Sequence, residues 1–93
     1  MNKDTYVNGQ KVYILEDGKL IYFFKSGKIK AVGLYENDLM EGEWLFYRET
    51  GQLWEIGHFQ HSIKDGQWIR YNRDGEIEYN ETFKNGIKVR NKK

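Results

Sequence analysis

The stretch EGEWLFYRETGQLWEIGHFQ, residues 41–60, returns in altered form as DGQWIRYNRDGEIEYNETFK, residues 65–84. A chain of 93 residues that says nearly the same thing twice, at an offset of 24, is built from one repeated unit. Repeat units of this size cannot bury an apolar face alone and do so by stacking on their neighbours.

A third copy lies upstream in the same frame, with no gap. Gly18, Gly42 and Gly66 open the copies, followed by Leu20, Trp44 and Trp68, then Ile21, Leu45 and Ile69, then Phe23, Tyr47 and Tyr71. Gly27, Gly51 and Gly75 come next, then Ile29, Leu53 and Ile77, then Tyr35, Phe59 and Phe83, and finally Leu39, Ile63 and Ile87. Each copy reads as two strands: a short aromatic one (KLIYFF, EWLFY, QWIRY) and a longer one (KIKAVGLYE, QLWEIGHFQ, EIEYNETFK). The connections KSG, RETG and NRDG end in glycine, which supplies the positive φ that a short hairpin turn needs. Helix is disfavoured, because Ala31 is the sole alanine and aromatic and β-branched residues dominate.

The motifs GEWLFYRETGQL and GQWIRYNRDGEI, with FKNG closing the last copy, resemble the MORN repeat (membrane occupation and recognition nexus). The nearest likeness is to the bacterial variant called antitoxin-like. The resemblance spans residues 17–88, and the first copy departs from it at Leu20, where a Trp would stand. It implies an all-β fold: consecutive β-hairpins from 24-residue repeats, forming one twisted antiparallel sheet used as a scaffold. It implies no single activity. The expected division is an N-terminal cap hairpin over 1–16, repeats at 17–40, 41–64 and 65–88, and a basic tail at 89–93. The cap is expected from Asn8-Gly9, a hairpin turn pair flanked by apolar residues.

Alternation of side chains along strands, with Tyr47 opposite Leu53, predicts a structural face carrying Leu45, Tyr47, Leu53, Glu55, Gly57 and Phe59. The opposite face then carries Trp44, Phe46, Trp54, Ile56 and His58 in the second copy, and Trp68, Arg70, Glu76 and Glu78 in the third. Structural needs repeat with the repeat, whereas partner needs do not. Trp44 and Trp68 recur and are expected to pack. Trp54 has Lys30 and Glu78 at its equivalent positions, which marks it as a contact residue. The candidate partner-binding residues are therefore Phe46, Trp54, His58, Arg70, Glu55, Glu76 and Glu78, aromatics and Arg being enriched at interface hot spots.

Charge is uneven along the chain. Residues 41–83 hold Arg48, Lys64, Arg70 and Arg73 against 9 acids, whereas residues 84–93 hold 5 cations and no acid. An acidic middle suits a basic partner and repels phosphate, which weighs against single-stranded nucleic acid. The basic tail leaves membrane-surface attachment as an alternative. With no Cys, no disulfide or thiolate metal site exists. His58 and His61 straddle a strand end and a turn with no third ligand motif, and Ser26 and Ser62 have no base near in sequence. No enzyme, metal or cofactor is expected. The N-terminus has no apolar signal segment and no run reaches the roughly 20 residues of a membrane span, so a cytoplasmic setting is expected.

These features point to a non-enzymatic protein-binding module. Its sharper form is an antitoxin-like, immunity or inhibitor protein that blocks a basic groove on a toxin or nuclease. A self-assembling scaffold, with a homodimer as its simplest form, is the reading from another class.

Overall fold

The structure is a computed structural model and describes residues 4–89. Nine strands form a single sheet: β1 (Tyr13–Glu16), β2 (Lys19–Phe23), β3 (Ile29–Glu36), β4 (Leu39–Tyr47), β5 (Leu53–Gln60), β6 (Ile63–Lys64), β7 (Gly66–Tyr71), β8 (Ile77–Lys84) and β9 (Ile87–Val89). Every pairing is antiparallel, and the strands lie side by side in chain order, with the short β6 pairing with β5. The all-β repeat architecture read from the sequence is thus the architecture of the molecule. Upstream of β1, residues Tyr6–Gln10 form a turn closed by Tyr6 N–H to Gln10 O (2.7 Å), and Tyr6 Oη reaches the Phe23 carbonyl at 2.8 Å. The basic tail beyond Val89 lies outside the described residues.

Two kinds of turn alternate. Within a copy, the Gly51 N–H donates to Arg48 O and the Arg48 N–H to Gln52 O, both at 2.8 Å, with Gly51 at φ 97°. Gly75 repeats this geometry at φ 84°. Between copies, two successive residues take positive φ: Asn37 and Asp38, His61 and Ser62, Asn85 and Gly86. Such paired left-handed residues match the right-handed twist of the flanking strands.

The same irregularity occurs at the last residue of each first strand. Tyr22 pairs with Ala31 and Phe23 with Ile29; Phe46 pairs with Glu55 and Tyr47 with Leu53; Arg70 pairs with Tyr79 and Tyr71 with Ile77. One residue of each second strand is left over: Lys30, Trp54 or Glu78. These β-bulges change the expected faces. Tyr47 does stand opposite Leu53, but alternation cannot be carried past the bulge. Glu55, Gly57 and Phe59 share their face with Trp44 and Phe46, not with Leu45. Ile56 and His58 point the other way, with Leu45.

The core sits on the first of these faces. Leu20, Ala31, Trp44 and Trp68 are the buried apolar residues, and Trp44 has no exposed surface. Each indole lies flat on a glycine of the preceding copy. A Cβ built on Gly57 would come within 2.5 Å of the Trp68 ring, and one on Gly33 would collide with Trp44. Both indole N–H groups donate to a carbonyl of that same strand at 3.0 Å, Trp44 to Leu34 and Trp68 to His58. In the third copy the equivalent of Gly33 and Gly57 is Glu81, paired with Lys88 at 3.8 Å. No further indole follows there among the described residues, so nothing requires a glycine.

The opposite face carries a row of aliphatic side chains in direct cross-strand register: Ile14, Ile21, Val32, Leu45, Ile56 and Ile69, ending at Asn80. All six are at least partly exposed.

Candidate functional site

On the aromatic face one row of direct pairs runs Tyr13, Tyr22, Ala31, Phe46, Glu55, Arg70, Tyr79. Its composition decides the surface. Ala31 is small and buried, so the sheet is hollow there. A cleft of about 340 Å³ opens over it, walled by Tyr22, Phe24, Phe46, Tyr47 and Trp54, with Lys30 at its edge. The walls are stiff. Phe46 stacks between Trp44 (6.2 Å) and Trp68 (6.1 Å), and Tyr22 leans on Trp44 at 6.5 Å. Lys30 lies over the Phe24 ring at 5.9 Å.

One copy further on, the place of Ala31 is taken by Glu55, and the hollow is closed. Arg70 reaches the buried Glu55 carboxylate at 3.5 Å. Its guanidinium lies between the Trp54 ring (5.0 Å) and the Tyr79 ring (5.2 Å). A cation over an aromatic face is attracted by the ring quadrupole. Here the attraction also holds Trp54, which forms one wall of the cleft. Trp54 reaches this face because it is the bulged residue.

Of the candidate residues read from the sequence, Phe46, Trp54, Glu55 and Arg70 come together around this feature. Phe46 is also continuous with the core, stacked between two buried indoles. His58 is on the aliphatic face, where its Nδ1 lies 3.0 Å from the Gln67 carbonyl. Glu76 and Glu78 are exposed at the start of β8, and Glu78 is the bulged equivalent of Trp54. The sequence reading missed Tyr22, Phe24, Ala31 and Tyr79 as part of this surface. A signal was present: Ala31, Glu55 and Tyr79 share a repeat position, as do Tyr22, Phe46 and Arg70. Both positions change size and charge in every copy, whereas Trp44 recurs as Trp68 and Gly33 recurs as Gly57 beneath them.

Among the described residues, no group of three or more His, Asp or Glu side chains is placed to hold a metal ion. No helix among the described residues is long and apolar enough to cross a membrane. What the arrangement offers is a rigid apolar notch with one cation at its edge and acids beyond.

The comparisons agree with the repeat. Residues 16–37, 40–61 and 64–85 each match the family described as MORN repeat variant. No curated protein and no solved structure matches the chain.

Proposed function

Since this chain belongs to the MORN repeat variant family, with three matched segments over most of its length, and is an interaction module of that kind, we propose that it binds a protein through the aromatic face. The anchor is an apolar side chain of the partner, seated in the cleft over Ala31. The observation that carries this reading is the cleft itself. Its walls of Tyr22, Phe46 and Trp54 are held by neighbours rather than by anything within it. Preformed aromatic pockets lose little freedom on binding, and aromatic anchors dominate interface energetics.

The sharper form is an inhibitor of the antitoxin or immunity kind, directed at a toxin or nuclease with a basic groove. Its support is the acidic character of residues 41–83, with Glu76 and Glu78 exposed along the sheet beyond Arg70. Complementary charge would speed encounter, and the cleft would hold the complex.

The test is affinity capture from a native lysate, repeated with the Ala31→Leu protein, whose added methyl groups fill the notch. Ala31→Leu should leave the fold intact by circular dichroism and weaken capture of the partner at least tenfold. Capture of a basic protein that is released by salt supports the inhibitor form. A partner held equally well by the wild-type and Ala31→Leu proteins would remove the cleft as the anchor. Retention on anionic vesicles, with no protein captured, would instead favour the membrane-surface scaffold.

A further inference from the structure

We propose that the aliphatic face is a self-association surface, on which two copies of this chain pack face to face about a two-fold axis along β3. This goes beyond the proposed function, since the cleft lies on the other side of the sheet.

The row Ile14, Ile21, Val32, Leu45, Ile56 and Ile69 crosses six strands, about 24 Å at the usual inter-strand spacing. No layer covers it: the described chain is one sheet, with every strand in that sheet. A second sheet can bury such a row, at about 10 Å and with nearly aligned strands. A second copy supplies a row of equal length.

The choice of a second copy over an unrelated sheet comes from the polar row beside the aliphatic one. Along the same face, from β1 to β5, stand Glu16, Lys19, Leu34, Glu43 and His58. Leu34 itself registers with Glu41, and Glu43 lies in the two-residue bulge between Glu41 and Trp44, on the groove it shares with Lys19 and Leu34. Lys19, Leu34 and Glu43 line one groove together with Val32 and Leu45. The pattern is acid, cation, apolar, acid, imidazole: reflection about Leu34 exchanges the opposite charges of Lys19 and Glu43 and brings the Glu16 carboxylate onto the His58 ring. A two-fold axis along β3 turns one sheet over onto the other. It places Lys19 of each copy opposite Glu43 of the second, and Glu16 opposite His58. The same operation sets Leu34 and Val32 against their own counterparts, Ile21 against Leu45, and Ile14 against Ile56. An axis along β4 would instead bring Glu43 onto Glu43. Among the described residues, neither Lys19 nor Glu43 forms an ion pair within its own chain. Leu34, at the centre of the pattern, is 45% exposed, a large apolar exposure for a residue in the middle of a sheet.

Isologous contact makes every substitution act twice. The experiment is sedimentation equilibrium of the whole chain over a series from micromolar to millimolar. The wild type should show a monomer–dimer equilibrium. Leu34→Glu, at an exposed position, should shift it to monomer by at least tenfold in dissociation constant. Lys19→Glu and Glu43→Lys should each weaken the dimer, and the double variant K19E/E43K should restore it. That restoration reports on the arrangement and not on folding, because both side chains are exposed. A wild type that stays monomeric at millimolar concentration would overturn the proposal. So would a Leu34→Glu protein that dimerises as the wild type does. A double variant no tighter than the weaker single variant would overturn the axis along β3.

Discussion

Ala31 and Glu55 occupy the same position in successive copies, yet one forms the floor of an open cleft and the other lies at the bottom of a filled one. The backbone around them is the same: each pairs with the residue two places after the Trp or Leu of the flanking first strand, and each follows a bulged residue. What differs is the neighbour across the next strand. Beside Ala31 stands Phe46, and beside Glu55 stands Arg70. Arg70 extends over Trp54 and neutralises Glu55, whereas Phe46 stays upright between two indoles. A repeat can thus keep its scaffold and still change its surface, using two positions per copy.

The parts common to both copies should have the largest effects. Trp68→Ala removes a buried indole and its hydrogen bond to His58 O, and should cost roughly 3–5 kcal/mol in urea unfolding. Trp54→Ala removes a half-buried ring held by Arg70 and should cost about 1 kcal/mol. Partner capture should respond in the reverse order among folded proteins. If both substitutions lower stability equally, Trp54 belongs to the shared scaffold and the cleft has no independent wall.

The next effect belongs to the filled copy alone. Arg70→Ala would leave the Glu55 carboxylate buried without its cation. Breaking a fully buried pair costs about 3–5 kcal/mol. The Arg70 side chain is 36% exposed, so water would reach part of the site. The expected loss is about 2 kcal/mol, and Glu55→Gln in the same protein should return part of it. No change in the Arg70→Ala denaturation midpoint would mean that Glu55 is already solvated. The contrast between the two copies would then be one of shape and not of charge.

Most of the architecture was legible because it depends on what recurs. The eight registered positions, the scarcity of helix formers and the glycine turns are sufficient for consecutive antiparallel hairpins. The burial of Leu20, Trp44 and Trp68 follows from their shared position. The faces were not legible, because one extra residue reverses alternation and nothing in LWE, IKA or IEY announces a bulge. That residue is Lys30, Trp54 or Glu78 in the three copies. A spacing that tolerates a cation, an indole and an anion is a position outside the ladder, where Lys30 and Glu78 are exposed and Trp54 is half-buried. The cleft was illegible for a related reason: it depends on Ala31 being small beside large neighbours, and the smallness of a single residue carries no periodic signal. The positive φ of His61 and Ser62 was likewise hidden, since Ser does not favour it and His, though enriched there, carries no turn signal comparable to Asn-Gly.

That turn carries the smallest expected effect, and it compares the copies once more. Asn37-Asp38, His61-Ser62 and Asn85-Gly86 are equivalent, and all six residues have positive φ. Only the last pair has glycine at the second position, where a side chain is strained. Asp38 is exposed, at φ 66°, so Asp38→Gly should relieve strain without removing a packed group. The more flexible unfolded chain offsets part of the gain, leaving about 0.5 kcal/mol of added stability. Ser62 has the same φ, but its Oγ accepts the Met40 N–H at 2.9 Å. Ser62→Gly loses that bond, worth about 1 kcal/mol, and should gain nothing. Thermal denaturation of the two variants distinguishes the cases: a rise for Asp38→Gly, and none or a fall for Ser62→Gly. If both rise alike, the Ser62 hydroxyl contributes no more than solvent would, and the turns between copies are set by backbone conformation alone.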